Sequence, residues 1–226
     1  MSAPASEILS VRVWDLPTRL FHWVLVALIA LQYATGEYHL LDMRWHYWLG
    51  YATLVLLAFR VLWGFAGSQT SRFADFLRGP GAIVHYLQGL YSTNLQRSIG
   101  HNALGGWSVL ALLLCVAVQA VSGLFASDEI NNDGPLVVHV SGKTVKWMTW
   151  LHQWNQNLLL AVIGLHVVAV LLYLLLKHEN LIMPMLSGSK DMTDARPLHF
   201  VGSLRALALF TISAAMVAAL IWWAGA

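Results

Sequence analysis

The chain has 226 residues, of which 58% are apolar and only 11% charged, with 11 tryptophans and a formal net charge of +2. A soluble domain carries roughly 25% charged residues, so the composition excludes an ordinary soluble protein and points to one that lives in lipid. Once several spans of about 20 residues are subtracted, only short loops remain, and no separate soluble domain is expected.

In chain order, the start MSAPASEILSVRVWDLPTR lacks a basic segment leading into a short apolar core and a small-residue cleavage site. No removable signal peptide is therefore expected. Five apolar runs follow, at Leu20–Tyr38, Trp45–Phe65, Ala103–Ala126, Trp150–Leu176 and Ser203–Trp223. Each is long enough to cross a bilayer. Helices satisfy every backbone polar group within one segment, and the runs are too long and too continuously apolar for barrel strands. The expected fold is an all-α integral membrane protein: a four-helix transmembrane bundle over residues 1–190, then a cytoplasmic linker and fifth helix in 191–226. Between spans two and three, GPGAIVHYLQGLY places Ile83, Val84, Leu87, Leu90 and Tyr91 with the spacing of a short interfacial helix. The lone Cys115 excludes an intramolecular disulfide and a C-x-x-C-H attachment motif.

Orientation follows from the basic residues in short loops. Arg12, Arg19, Arg60, Arg72, Arg78, Arg97, Lys177, Lys190, Arg196 and Arg205 fall on one side, against Arg44, Lys143 and Lys146 on the other. This predicts a cytoplasmic N-terminus, a periplasmic C-terminus and a bacterial inner-membrane location. The outer loops carry Glu37, Asp42, Asp128, Glu129 and Asp133 against those three bases, a net −2.

Span four contains two histidines, His152 and His166, spaced 14 residues apart. At ~1.5 Å per residue they lie roughly 21 Å apart along the axis, and in a left-handed bundle they share one face. An ionisable side chain in such a run is costly, so each calls for a partner on another helix. His22 opens span one at the inner surface, and His46 opens span two at the outer surface. Depth thus pairs His22 with His166 and His46 with His152. Paired imidazoles from facing helices are a recurrent way to clamp a haem inside a bundle. Taken singly, His22 or His46 could instead be an interfacial anchor, and zinc is the weaker metal because Cys, Asp and Glu do not cluster beside these residues. Gly50 and Gly164 lie near the histidines, where small residues would let a flat ring approach, or would serve close helix packing. Arg60, 14 residues after His46, falls on the His46 face at the inner end, where it could meet a propionate or act as an ordinary positive-inside residue. Arg19 and His101 are further candidates for propionate or quinone contact, His101 having a capping role as its alternative. His39, His85, His139, His178 and His199 read as loop or interface residues.

The motif R-x-F-H-W in span one, His46-x3-Gly50-x9-Arg60 in span two and His152-x13-His166 with IGLH in span four resemble the bacterial cytochrome b561 family, which includes the b-type cytochrome subunits of nickel-iron hydrogenases. GFAGSQTSRFADF and GHNALGG are similar to the hydrogenase-type members, and the resemblance covers about residues 10–190. It implies a four-helix core with two haem b groups, carrying electrons between a quinone such as ubiquinone or menaquinone and a partner. The matching axial ligands are His22, His46, His152 and His166. The partner expected at the periplasmic face is a c-type cytochrome or another redox protein, and no nucleic-acid partner is expected. A self-contained superoxide:quinone oxidoreductase and a haemless structural or assembly protein are the alternatives, so whether the chain is an enzyme or an electron-transfer subunit stays open. The fifth span lacks histidine and departs from the shortest family members; partner contact or stabilisation would explain it.

Overall fold

The computed structural model describes residues 9–89, 98–192 and 197–225. Leu90, Tyr91, Arg97 and Arg196, used in the sequence reading above, lie outside them. Among the described residues, five helices are long and apolar enough to cross a membrane: α1 (Leu16–Glu37), α2 (Met43–Ala66), α5 (Ala103–Gly123), α6 (Gly142–Leu176) and α8 (Ser203–Ala224). The chain is a multi-pass membrane protein of all-α architecture. Short helices α3 (Phe73–Phe76), α4 (Pro80–Gly89) and α7 (Ile182–Ser187) fill the connections. α4 occupies the segment in which a short interfacial helix was expected.

The helix starts are set by side chains that accept the free N–H groups of the first turn. Asp15 accepts from Thr18 N at 2.7 Å, Asn102 from Gly105 N at 2.7 Å and Ser141 from Thr144 N at 3.3 Å. Ser141 moves the start of the fourth span from the expected Trp150 to Gly142. Hydropathy misses that extension because GKTVKWMT is polar enough to read as loop. A helix can emerge from the hydrocarbon with no change in its backbone.

α2 is the centre of the bundle, packing against α1, α5 and α8, while α6 packs chiefly on α5. The core gathers Phe21 and Leu28 of α1, Leu56, Phe59 and Trp63 of α2, Leu113 of α5 and Ala206 of α8. The fifth span thus lies on the back of α2, where Phe210 meets Phe59 edge-on at 6.1 Å. The helices with His22 and His166, α1 and α6, do not pack closely on one another.

One end of the bundle is closed by polar contacts distant in sequence. Strand β1 (Leu9–Arg12) pairs antiparallel with β2 (Ser189–Met192). Thr70 Oγ1 donates to Val13 O at 2.7 Å, Gln69 N to His199 O at 2.9 Å, and Lys190 to both Ser98 O and Glu179. At the opposite end, His139 stacks on Trp223 with ring centres 4.7 Å apart, and Gln156 Nε2 donates to Glu37 Oε2 at 3.1 Å. The first and last helices therefore run in the same direction and finish at the same end of the bundle, as an odd number of spans requires. The fold aligns the N-terminal segment with the two connections rich in Arg and Lys.

Candidate functional site

At the end away from the N-terminus, His46 and His152 face each other from α2 and α6, ring centres 6.4 Å apart and planes at 81°. Metal–imidazole bonds of ~2 Å on each side, with ring centres ~1 Å behind the bonding nitrogens, put two coordinating rings about 6 Å apart. The pair therefore fits a single metal between two imidazoles. Each ring is held from behind. His46 Nδ1 lies 3.1 Å from Gln32 O and 3.1 Å from Thr35 Oγ1. His152 Nδ1 lies 2.9 Å from Gln119 O, with Ser122 Oγ at 3.3 Å. A ring N–H given to a carbonyl fixes the tautomer and leaves Nε2 as the ligating atom.

A further layer of side chains supports these contacts. Gln32 Nε2 donates to Thr53 Oγ1 at 2.8 Å, tying α1 to α2. Buried Asn155, one turn after His152, donates to Gln119 Oε1 at 2.8 Å and to Cys115 O at 3.0 Å, tying α6 to α5. Gln119 Nε2 in turn lies 3.3 Å from both ring nitrogens of His152. The sequence reading missed this amide pair, although a glutamine alone in LLLCVAVQAV is the kind of costly polar residue that signals a partner.

The glycines that admit these rings also differ from those anticipated. A Cβ on Gly123 would lie 2.9 Å from His152 Cε1, and one on Gly36 would lie 3.1 Å from His46 Cε1. Gly50 makes only an ordinary 3.9 Å approach to Gln32, and Gly164 faces open space. Gly36 and Gly123 lie on the helices facing His46 and His152, so spacing from the histidine on its own helix could not identify them.

At the N-terminal end the surroundings change. His22 and His166 are close enough for a charge on one to act on the other. His101, just before α5, feels both of them and Arg60. It is wedged between Trp14, at 4.7 Å, and Phe76, at 4.9 Å. Burial, with the Arg60 charge adding to it, pushes the His101 imidazole down to about 3, so it is neutral at physiological pH. Arg60 is 3% exposed, with Phe73, Phe76 and Phe21 rings at 5.2, 5.8 and 5.9 Å from its guanidinium carbon. Cation–π contact holds it without neutralising it. Arg19 donates to Leu186 O at the end of α7, and Trp23 Nε1 donates to Met185 O at 3.1 Å.

Among the described residues, four side-chain nitrogens at this end are buried with no hydrogen-bond partner: Arg19 Nε, His22 Nδ1, Arg60 Nη1 and His101 Nδ1. Buried donors are rarely left unpaired. Two guanidiniums and two imidazoles in one region suit an anionic or hydrogen-bond-accepting group, and carboxylates are the acceptors that guanidinium matches best. The remaining histidines lie elsewhere. His39 and His178 adopt φ of 49° in turns, and His199 joins the 67–71 segment through its backbone. Among the described residues, no group of three or more His, Cys, Asp or Glu converges as a metal centre.

A family model described as prokaryotic cytochrome b561 matches residues 13–188. No curated protein matches the chain, and no solved structure does. The matched segment spans α1, α2, α5 and α6 with all four paired histidines and ends before α8.

Proposed function

Since the chain belongs to the prokaryotic cytochrome b561 family, whose members are membrane b-type cytochromes that bind haem and transfer electrons, we propose that it carries two b haems and relays electrons across the inner membrane between a quinone pool and a periplasmic redox partner. His46 and His152 would hold one haem and His22 and His166 the other, with Arg60, Arg19 and His101 toward the propionates or a quinone. The observation that carries this reading is that His46 and His152 face each other from two helices with ring centres 6.4 Å apart and each Nδ1 held from behind.

Bound haem supplies one-electron chemistry at iron. The protein's part is positional. Each pair of imidazoles would hold one haem without leaving a site for substrate at the metal, and the group would then supply one-electron transfer alone. The 14 residues between His152 and His166 set a spacing of roughly 21 Å along α6. All four histidines are half-buried among the helices. Arg60 and Arg19 offer guanidinium nitrogens to carboxylates at the N-terminal end. The acidic outer loops favour a basic partner such as a c-type cytochrome, through an attraction that salt screens. In this reading the N-terminus is cytoplasmic and the C-terminus periplasmic.

A pyridine-haemochrome assay on purified protein tests the proposal. Two b haems per chain are expected; fewer than about one would exclude the reading.

A further inference from the structure

We infer that Asn155 is a positioning residue for the pair formed by His46 and His152: acting through the side-chain amide of Gln119, it fixes which nitrogen of His152 keeps the lone pair that a metal needs. The inference rests on the reading of His46 and His152 as haem ligands and concerns how one of them is held in its ligating form.

Asn155 is 3% exposed and lies three residues after His152 on α6. Its Nδ2 donates to Cys115 O at 3.0 Å and to Gln119 Oε1 at 2.8 Å. An amide nitrogen carries two hydrogens, and these two acceptors take both. The carbonyl of Cys115 is main chain and can only accept, so the NH2 end of Asn155 faces α5. Gln119 then turns its oxygen toward Asn155, and its own NH2 end falls against the imidazole, with Nε2 3.3 Å from both ring nitrogens of His152. One backbone carbonyl thus sets the direction of two amides in turn.

The other contacts of the ring agree with that direction. His152 Nδ1 lies 2.9 Å from Gln119 O. Ser122 Oγ, 3.3 Å from the same nitrogen, donates its own proton to Val118 O at 2.6 Å. Both neighbours accept from Nδ1, which places the ring proton there. A donor amide beside the ring stabilises a lone pair and opposes a proton on Nε2, so Nε2 stays free to ligate. Without Asn155 the buried Gln119 Oε1 would lose its donor, a costly state that rotation of the amide toward the His152 ring would relieve. An oxygen in the place of the present nitrogen would favour a proton on Nε2 or turn the ring.

His46 is held without such a device. Its Nδ1 faces Gln32 O and Thr35 Oγ1, but the Gln32 side chain donates to Thr53 Oγ1 at 2.8 Å. That link joins two helices through a glutamine and serves as the control.

The test is transfer of haem from the purified, loaded protein to excess apomyoglobin, followed at the band that His152→Ala removes. Asn155→Leu, similar in shape and suited to an apolar helix, should speed loss of that haem about 10–100-fold, the range for partners of a metal-binding histidine. Loss of the other haem should keep its rate. Asn155→Leu combined with Gln119→Leu removes the amide that would turn, keeps the backbone carbonyl of residue 119, and should bring the rate back toward that of the parent protein. The electron paramagnetic resonance signal of the oxidised haem, whose largest g value follows the angle between the two imidazole planes, should shift in the single variant and return in the double. A role as a helix tie alone predicts the opposite, because the double variant lacks both halves of the tie. Thr53→Val should leave the rate unchanged. An unchanged rate in Asn155→Leu, or a double variant as fast as the single, would overturn the inference and leave the haem at His46 and His152 standing. If Asn155→Leu fails to fold, the double variant decides: a retained outer haem supports the inference and its loss overturns it. A parent protein from which His152→Ala removes no haem band would instead overturn the reading of that pair, and the inference with it.

Discussion

Gly123 lies against the edge of the His152 imidazole so closely that a Cβ on the glycine would come within 2.9 Å of Cε1 and 3.2 Å of Nδ1. α5 and α6 pack together here because one side chain is a hydrogen atom and the other a ring held by the α5 backbone. Gly123→Val should displace that ring and remove the haem assigned to His46 and His152 while leaving the other. Low-temperature difference spectra would report one haem lost. Gly142→Val, at a position with nothing within 4 Å, should leave both in place.

The pairing itself is open to a direct check. His46→Ala and His152→Ala are expected to abolish the same absorbance band, and His22→Ala and His166→Ala the other one. Loss of a common band in the His22 and His46 variants would mean that the pairs are wrongly drawn.

Asp15 joins α1 to α2 at the N-terminal end. One carboxylate oxygen caps α1 at Thr18 N, and the other accepts from the buried Trp63 indole at 3.2 Å. Loss of an N-cap costs about 1 kcal/mol, and an indole N–H left buried without a partner costs about 1–3 kcal/mol. Asp15→Ala should therefore destabilise the protein by about 2–4 kcal/mol in detergent unfolding, and Asp15→Asn, which keeps the oxygen for the cap, by less.

On the outer loop, the backbone and side chain of Asn132, then the backbone of Ile130 and Asn131, hold the Asp128 carboxyl well below the usual carboxylate range. A depressed carboxylate stabilises the loop above its unfolded-state value and loses that contribution only as pH falls through the lower folded value. Amide exchange at Ile130, Asn131 and Asn132 should stay protected at pH 4 as at pH 7. Asp128→Ala should lose that protection at both.

The local sequence carried most of the membrane architecture. Hydropathy located all five long helices, because a bilayer demands about 20 apolar residues wherever the chain crosses. Depth alone pointed to His46 and His152 as neighbours, and their ring centres lie 6.4 Å apart in the fold, since an imidazole can only reach a partner at its own level. The family match then covered the segment in which those motifs lie.

What tertiary structure decided is what stands behind the histidines. Carbonyls of Gln32 and Gln119 and the edges of Gly36 and Gly123 reach the rings across helix interfaces, and the amide of Asn155 crosses from α6 to hold Gln119. No single-helix periodicity contains such contacts. The joining of β1 to β2, separated by most of the chain, likewise depends on how the helices return the backbone to one end. The chain determined by itself which segments enter the membrane and at what depth each imidazole lies, because those follow from transfer of individual residues into lipid. Packing alone decided which neighbours each imidazole meets, because those contacts exist only after the helices have associated.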